Sequence, residues 1–338
     1  MMSNVYGIDL GTCNLKVYNK QSDQIVKEKD TIAIINKNQM YAFGDDAYAM
    51  YEKAPESIKV SFPIVSGVIA DYNNIQTMIG SFLEKYTKSG LKGSEYIIAV
   101  PTDITEVEKK AFFDLFYKSQ YKPKSVLLCD KPIADAIGLG LDVNEPTGIM
   151  VVDMGADTTE ISVISLGGLV LSNLLHFGGN RMDESIINYL KRNFNLVIGQ
   201  KTAMQLKEHL GCAMPDAEGS MEIVGLDVVS GLPIQMEVTA DTVYNAIKEN
   251  LNSLCNAIKM ILEKIPPELA KDIIASGIYL TGGGSKIEKL DDLFKELTNI
   301  RVNTCEDPDE CVARGLSLVV KDSKFKHLAY SMKTKVFK

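Results

Sequence analysis

The chain has no apolar run near the roughly 18 residues that a membrane-spanning helix requires, so no transmembrane segment is expected. Its opening, Met1-Met2-Ser3-Asn4, has neither the basic stretch nor the apolar core of a secretory signal. Histidine is scarce at three, and the six cysteines (13, 129, 212, 255, 305 and 311) include no Cys-x-x-Cys pair. Zinc is therefore not expected. The cysteines read as reduced, mostly buried residues of a cytosolic protein. Positive charge is short as well: the net charge of −8 argues against broad nucleic-acid binding. No low-complexity linker interrupts the sequence. Ordinary charged and apolar fractions over 338 residues then predict one very large domain or two joined ones.

What is present is one phrase, written twice. The copies are Gly7-Ile8-Asp9-Leu10-Gly11-Thr12-Cys13-Asn14 and Val151-Val152-Asp153-Met154-Gly155-Ala156-Asp157-Thr158-Thr159-Glu160. Each reads as an apolar strand, an Asp, a Gly-centred turn, hydroxyl residues and a second strand (Leu15 to Tyr18; Ile161 to Ile164). A glycine turn between strands lets backbone N–H groups close on an anion. An Asp at a strand end can hold a hydrated divalent cation. Two such hairpins facing each other would grip a nucleotide triphosphate and its metal. One copy alone is weak, because Asp-x-Gly-Thr turns occur in ordinary hairpins. A third segment adds weight: Ile278-Tyr279-Leu280-Thr281-Gly282-Gly283-Gly284-Ser285 runs from a strand into a triple-glycine turn, with a helix expected from Lys286 to Leu297. Gly-rich turns before a helix N-terminus are anion and nucleotide sites.

Between these segments, strands and helices alternate, which suggests an α/β fold. Hairpins are expected at Asp30–Phe43, turning at Asn36-Lys37-Asn38, and at Met221–Thr239, turning at Ser230-Gly231-Leu232-Pro233. Helices are expected at Asp45–Lys53, Ile75–Thr87, Glu106–Gln120, Pro132–Leu141, Thr202–Leu210, Asp241–Lys264 (stopped by Pro266-Pro267) and Asp309–Val320, with another after Gly178-Gly179-Asn180. The two Asp hairpins suggest two similar lobes.

Together these segments resemble the actin/Hsp70/hexokinase ATPase superfamily, and within it the bacterial actin MreB family. Gly7 to Asn14 is similar to that family's Gly-Ile-Asp-Leu-Gly-Thr-Ala-Asn. Val151 to Gly168, Met182 to Leu196, Ile278 to Gly284 and Glu306-Asp307-Pro308 to Arg314-Gly315 also fit. The resemblance runs in order over nearly the whole chain, and only the stretch beyond about Lys321 lies outside it. It implies an actin-like ATPase fold with two similar lobes, each a mixed sheet plus helices, around a nucleotide cleft. It also implies four subdomains: 1–32, 73–143 and 308–338 (IA); 33–72 (IB); 144–180 and 243–307 (IIA); 181–242 (IIB). The implied cofactors are ATP/ADP and Mg2+, and the implied partner is the chain itself, as a homopolymer of paired protofilaments. By position, Gly11, Thr12, Cys13 and Asn14 would meet the phosphates from one side, and Gly155, Ala156, Asp157 and Thr158 from the other. Asp9 and Asp153 would hold the metal through water. Gly178, Gly179, Asn180, Asp183, the helix face Met204, Gln205, Leu206 and Lys207, and the turn Gly282, Gly283, Gly284 and Ser285 would complete the nucleotide site. Met204 to Lys207 reads equally well as one turn of a surface helix.

Three positions depart from the family pattern. Asp130-Lys131-Pro132 stands where the family has Glu-Glu-Pro, and the second glutamate is the one expected to orient or deprotonate the attacking water. A lysine, with three donors, no acceptor and an ordinary pKa of about 10.4, cannot do that. It can pair with the γ-phosphate. Asp157 replaces the third glycine of the family's turn, and an extra carboxylate beside a triphosphate asks for compensation, for which Lys131 is the candidate. Met204 stands at a common glutamate. The leading expectation is thus a cytoskeletal filament protein with weak ATP hydrolysis, and the alternative is a competent ATPase or small-molecule kinase of the superfamily. Lys321 to Lys338 carries six lysines and one aspartate among apolar residues such as Phe325, Leu328, Tyr330 and Met332. Such a tail can bind anionic lipid, which would place a cytoplasmic protein at the inner face of the membrane, or it can be solvated and disordered.

Overall fold

The computed structural model describes residues 4–36, 39–87 and 91–332. The chain forms two compact units: Met1–Thr147 with Ile164–Leu174 and Asp309–Lys338, and Gly148–Val163 with Leu175–Pro308.

The first unit is built on β1 (Val5–Leu10), β2 (Asn14–Asn19) and β3 (Gln24–Lys29), which follow one another as antiparallel neighbours. Strand β9 (Glu95–Val100) lies parallel to β1, and β10 (Ser125–Asp130) parallel to β9, giving the order β10-β9-β1-β2-β3. The near-continuous apolar run of β1 is buried, as a parallel-paired central strand requires. Tyr6 of β1 stacks on Tyr96 of β9 at 5.5 Å. Helices α2 (Tyr72–Tyr86) and α3 (Glu106–Tyr117) add Phe82, Phe112 and Phe116 to that core. Asp71 caps α2 by accepting from the Asn74 N–H, and Thr105 with Glu108 forms a capping box on α3. Helix α4 (Lys131–Gly138) crosses α10 (Cys311–Lys321) at backbone contact: a Cβ on Gly315 would lie 1.6 Å from the Ala134 carbonyl oxygen. A smaller sheet sets β4 (Ile32–Ile35) between β5 (Gln39–Phe43) and β6 (Ile58–Ser61), beside the short helix α1 (Asp45–Met50). The hairpin β7 (Ile64–Val65) and β8 (Val68–Ile69) follows.

The second unit repeats the plan. Strands β11 (Ile149–Met154), β12 (Thr159–Ser165) and β13 (Gly168–Leu175) come in succession. Strand β17 (Ile278–Thr281) lies parallel to β11, and β18 (Val302–Asn303) parallel to β17, giving the order β13-β12-β11-β17-β18. The end of β12 and all of β13 except Leu175 group with the first unit. The phrase written twice in the sequence is therefore a sheet built twice. Around it lie α5 (Gly179–Phe194), α6 (Gln200–Leu210), α7 (Ala240–Leu262), α8 (Pro267–Ser276) and α9 (Leu290–Thr298). A second small sheet joins β14 (Leu196–Val197), β15 (Ser220–Asp227) and β16 (Pro233–Thr239).

Three expectations change. No α-helix runs from Lys286: the triple-glycine turn enters a 3-10 turn, Gly283–Lys286, and α9 starts only at Leu290, after Lys289 at φ +58°. Pro266-Pro267 does more than stop α7, because Pro267 is also the first residue of α8, where its missing N–H costs nothing. The stretch after Lys321 is docked as far as it is described. Lys321 pairs with Asp23, Lys324 with Asp142 at 2.5 Å, and Tyr330 pairs with Leu128 of β10 through both backbone groups. Lys333 to Lys338, and the turn residues Lys37 and Asn38, lie outside the described residues. All six cysteines are unbridged.

Candidate functional site

The two glycine turns have the same internal geometry. In the first, the Gly11 N–H donates to the Asn14 carbonyl at 3.2 Å; in the second, the Gly155 N–H donates to the Thr158 carbonyl at 2.8 Å. A Cβ on Gly11 would sit 3.0 Å from the Asn14 oxygen, and one on Gly155 3.0 Å from the Thr158 oxygen. Each turn is thus folded so tightly on its own carbonyl that a side chain would press against it. The neighbouring Thr12, Cys13 and Asn14, and Ala156, Asp157 and Thr158, are partly exposed.

In the first unit, Asp9 is the penultimate residue of β1 and is buried. Its Oδ2 lies 3.1 Å from Nζ of Lys16, its cross-strand partner on β2. The motif does not name Lys16; its signal in the sequence is register, because across a two-residue turn position 16 falls opposite position 9. The Cys13 carbonyl accepts from the Asp30 N–H at 3.0 Å, and Lys29 Nζ stands 3.3 Å from Cys13 Sγ. Two cations that the motif does not name, Lys16 and Lys29, therefore lie beside the first turn.

In the second unit, the structure brings most of the expected residues together. The Gly179 N–H donates to the Gly155 carbonyl at 3.0 Å, and the Asn180 N–H to the Ala156 carbonyl at 2.7 Å, so the start of α5 is sewn onto the turn. A Cβ on Gly178 would lie 2.5 Å from the Ala156 oxygen. Asn180 Nδ2 donates to Asp157 Oδ1 at 2.7 Å, so the carboxylate that replaces the family glycine is held within its own unit. Lys207 of α6 reaches the Gly179 carbonyl at 2.9 Å and Asp183 Oδ1 at 2.8 Å. Burial pushes the Asp183 carboxyl up to about 6, against the opposing pull of Lys207. Leu206 is fully buried in the core, whereas Met204 and Lys207, three apart, remain partly exposed and Gln205 is exposed.

The triple-glycine turn seats on the end of β11. Gly282 has φ +80°, and a Cβ there would sit 2.2 Å from Asp153 Oδ1; one on Gly284 would sit 2.4 Å from Met154 Cγ. Close packing on Asp153 and Met154 accounts for two of the three glycines. Ser285 donates its hydroxyl back to the Gly282 carbonyl at 2.7 Å. Lys131 is the first residue of α4, in the first unit. Among the described residues, no group of three or more His, Cys, Asp or Glu side chains is placed to hold a metal ion.

The sequence pattern of the MreB/Mbl protein family matches residues 3–327. The chain is 38% identical over 323 residues to the cell shape-determining protein MreB of Escherichia coli (strain K12), covering 93% of this chain and 92% of that one. It is 37% identical to the cell shape-determining protein Mbl of Bacillus subtilis (strain 168), covering 95% and 96%. The crystal structure of MreB 5 of Spiroplasma citri bound to AMPPNP superposes with a TM-score of 0.90 at 30% identity, covering 95% of this chain and 97% of that one. The MamK double helical filament shares the actin-like fold, with a TM-score of 0.79 at 20% identity over 95% of this chain and 99% of that one.

Proposed function

The chain belongs to the MreB/Mbl family of bacterial actin-like cytoskeletal proteins, and from that membership we propose that it binds ATP with Mg2+, hydrolyses it slowly and assembles with copies of itself into filaments. The observation that carries nucleotide binding is the matched pair of glycine turns, each folded on its own carbonyl beside a strand-end Asp. In this reading Gly11 to Asn14 and Gly155 to Thr158 bind phosphate oxygens, and Lys16 and Lys29 add positive charge. Gly178, Gly179, Asn180, Met204, Gln205, Lys207 and Gly282 to Ser285 hold the nucleoside end, with Asp183 fixing Lys207. A Mg2+ ion would neutralise phosphate charge, and with few carboxylates to hand it would be held by phosphate oxygens and water, with Asp9 and Asp153 reaching it through that water.

Slow hydrolysis rests on Lys131, at the start of α4 where the resemblance places a glutamate. An ammonium has no acceptor for the water's proton. Steady-state phosphate release, measured beside nucleotide affinity, tests this. Lys131→Glu is expected to speed release while affinity persists; a positioned base contributes about 10²–10⁴ in rate. Wild-type release as fast as in glutamate-bearing relatives would refute the role given to Lys131.

Self-assembly, as paired protofilaments, has its own support. On the β15–β16 hairpin Ile223 and Val238 are buried, while Val224 and Leu226, which alternation assigns to the opposite face, are 59% and 45% exposed. The tip adds Val229 at 80% and Leu232 at 63%. Exposed apolar residues gathered toward one end of a hairpin mark an interaction surface, and we assign them to a second copy. Pelleting and negative-stain microscopy with Mg-ATP test the assembly. A second partner, anionic membrane at the inner face of the cytoplasmic compartment, would be met through Lys321 to Lys338. Lys321 and Lys324 are engaged in ion pairs, so that contact would rest on Lys326 and the lysines beyond Met332. No helix among the described residues is long and apolar enough to cross a membrane. Liposome co-sedimentation of the full chain against one ending at Val320 decides it: equal binding removes the tail from the account. The four subdomains and their boundaries are carried over in the same spirit.

A further inference from the structure

Asp130 immediately precedes α4 and occupies its N-cap position, yet its carboxylate makes no capping hydrogen bond to the helix. Aspartate is among the best N-cap residues, and a free N-cap Asp turns its oxygen onto the first-turn N–H groups. Here the Asp130 Oδ1 atom instead accepts from the Tyr330 hydroxyl at 2.8 Å. Tyr330 is brought there by its backbone. It adds to β10, the edge strand of the first unit's sheet, with the Leu128 N–H donating to the Tyr330 carbonyl at 2.7 Å and the Tyr330 N–H to the Leu128 carbonyl at 2.8 Å. The phenol is partly buried, and burial together with the neighbouring carboxylate holds its pKa above the ordinary range, so it stays a donor at neutral pH.

We propose that Tyr330 is a positioning residue. By holding Asp130 it withholds that carboxylate from α4, so that docking of the segment around Tyr330 on β10 and side-chain capping of α4 are alternatives. Lys131 is the next residue and is only partly buried, ahead of the stretch from Ala134 to Gly138 in which α4 is locked against α10. Docking of the segment thereby tunes the residue assigned to the γ-phosphate. That last step rests on the nucleotide reading above; the competition for Asp130 does not.

The test is Tyr330→Phe in the full chain, which keeps the ring and removes the donor, read by amide hydrogen exchange. Exchange at the Leu128 amide is expected to speed up, as its partner strand loosens. The Ile133 amide, in the first turn of α4, is expected to slow by about fivefold, the worth of one cap. A merely structural role for Tyr330 would loosen both. In an Asp130→Ala background, Tyr330→Phe should no longer slow Ile133. An unchanged or faster Ile133 amide in the single variant overturns the proposal. The second arm measures affinity for a non-hydrolysable ATP analogue and for ADP. The ratio of the two should move by about threefold in Tyr330→Phe, with ADP affinity held, a shift smaller than the loss of one cap. A fixed ratio with a slowed Ile133 amide overturns the link to Lys131. Wild-type protein that binds neither nucleotide refutes the nucleotide reading, while the exchange arm still decides whether Tyr330 holds Asp130.

Discussion

Two buried carboxylates behave differently because one has a counter-charge and the other has only an N–H. Asp30 is 1% exposed; its Oδ2 accepts from the Ile64 N–H at 3.1 Å, and its other oxygen has no hydrogen-bond partner. Burial pushes its carboxyl up to about 8. A carboxyl whose folded pKa is raised favours the folded state when protonated, so its contribution is lost as pH climbs from about 4 to about 8. Asp30→Asn keeps an acceptor for Ile64 and removes the charge. It should raise stability at pH 9 by about 1–3 kcal/mol, the cost of a poorly satisfied buried polar group, and have little effect at pH 5. Chemical denaturation at the two pH values checks this; an equal loss at both would show that the charge is not what matters. Asp183 is the paired case. Lys207→Ala leaves it buried without a counter-charge, which costs about 3–5 kcal/mol when the carboxylate is ionised. Because Asp183 titrates near 6, the cost should be largest at pH 7.5 and shrink at pH 5, where the group is neutral.

Among the elements, the α4–α10 crossing places the start of α4. Its backbones meet because Gly138 and Gly315 have no side chain: a Cβ on Gly138 would lie 1.9 Å from the Cys311 carbonyl. Alanine is the better helix former by about 1 kcal/mol, but the clash forces the helices apart. Gly315→Ala should therefore destabilise the protein by a net amount of about 1–3 kcal/mol, the usual cost of overpacking. It should also disturb nucleotide affinity through the displaced α4, and thermal unfolding beside a binding titration reads both. At this scale the sequence was partly legible. The small residues of α4 suit close packing, but nothing in them names α10, more than 150 positions later, as the partner. The helix expected at Lys286 is absent because the first duty of Gly282 and Gly284 is to let Asp153 and Met154 approach.

In the whole molecule, one sheet plan occurs twice, and the second copy carries a hairpin whose outward face is polar at its base (Glu222, Glu237) and apolar toward its tip (Val224, Leu226, Val229, Leu232). If that face joins copies of the chain, Val229→Glu with Leu232→Glu should sharply reduce pelleting with Mg-ATP and leave nucleotide affinity unchanged. Loss of both together would mean that the double variant is damaged rather than unable to assemble. Wild-type protein that stays monomeric with every nucleotide and salt condition would sink the filament reading itself.

The sequence by itself determined the doubled strand–turn–strand units, their α/β setting and the departure at Lys131. Turn chemistry and strand burial are local: a Gly-centred turn after an apolar run specifies itself within a few residues. Only the tertiary structure decided which charges pair. Lys16 reaches Asp9 through strand register, Lys207 reaches Asp183 through the packing of α6 on α5, and Tyr330 reaches Asp130 across 200 positions of chain. Such partners are chosen by whole elements folding onto one another, a choice driven by apolar burial that is blind to which polar side chains it brings together.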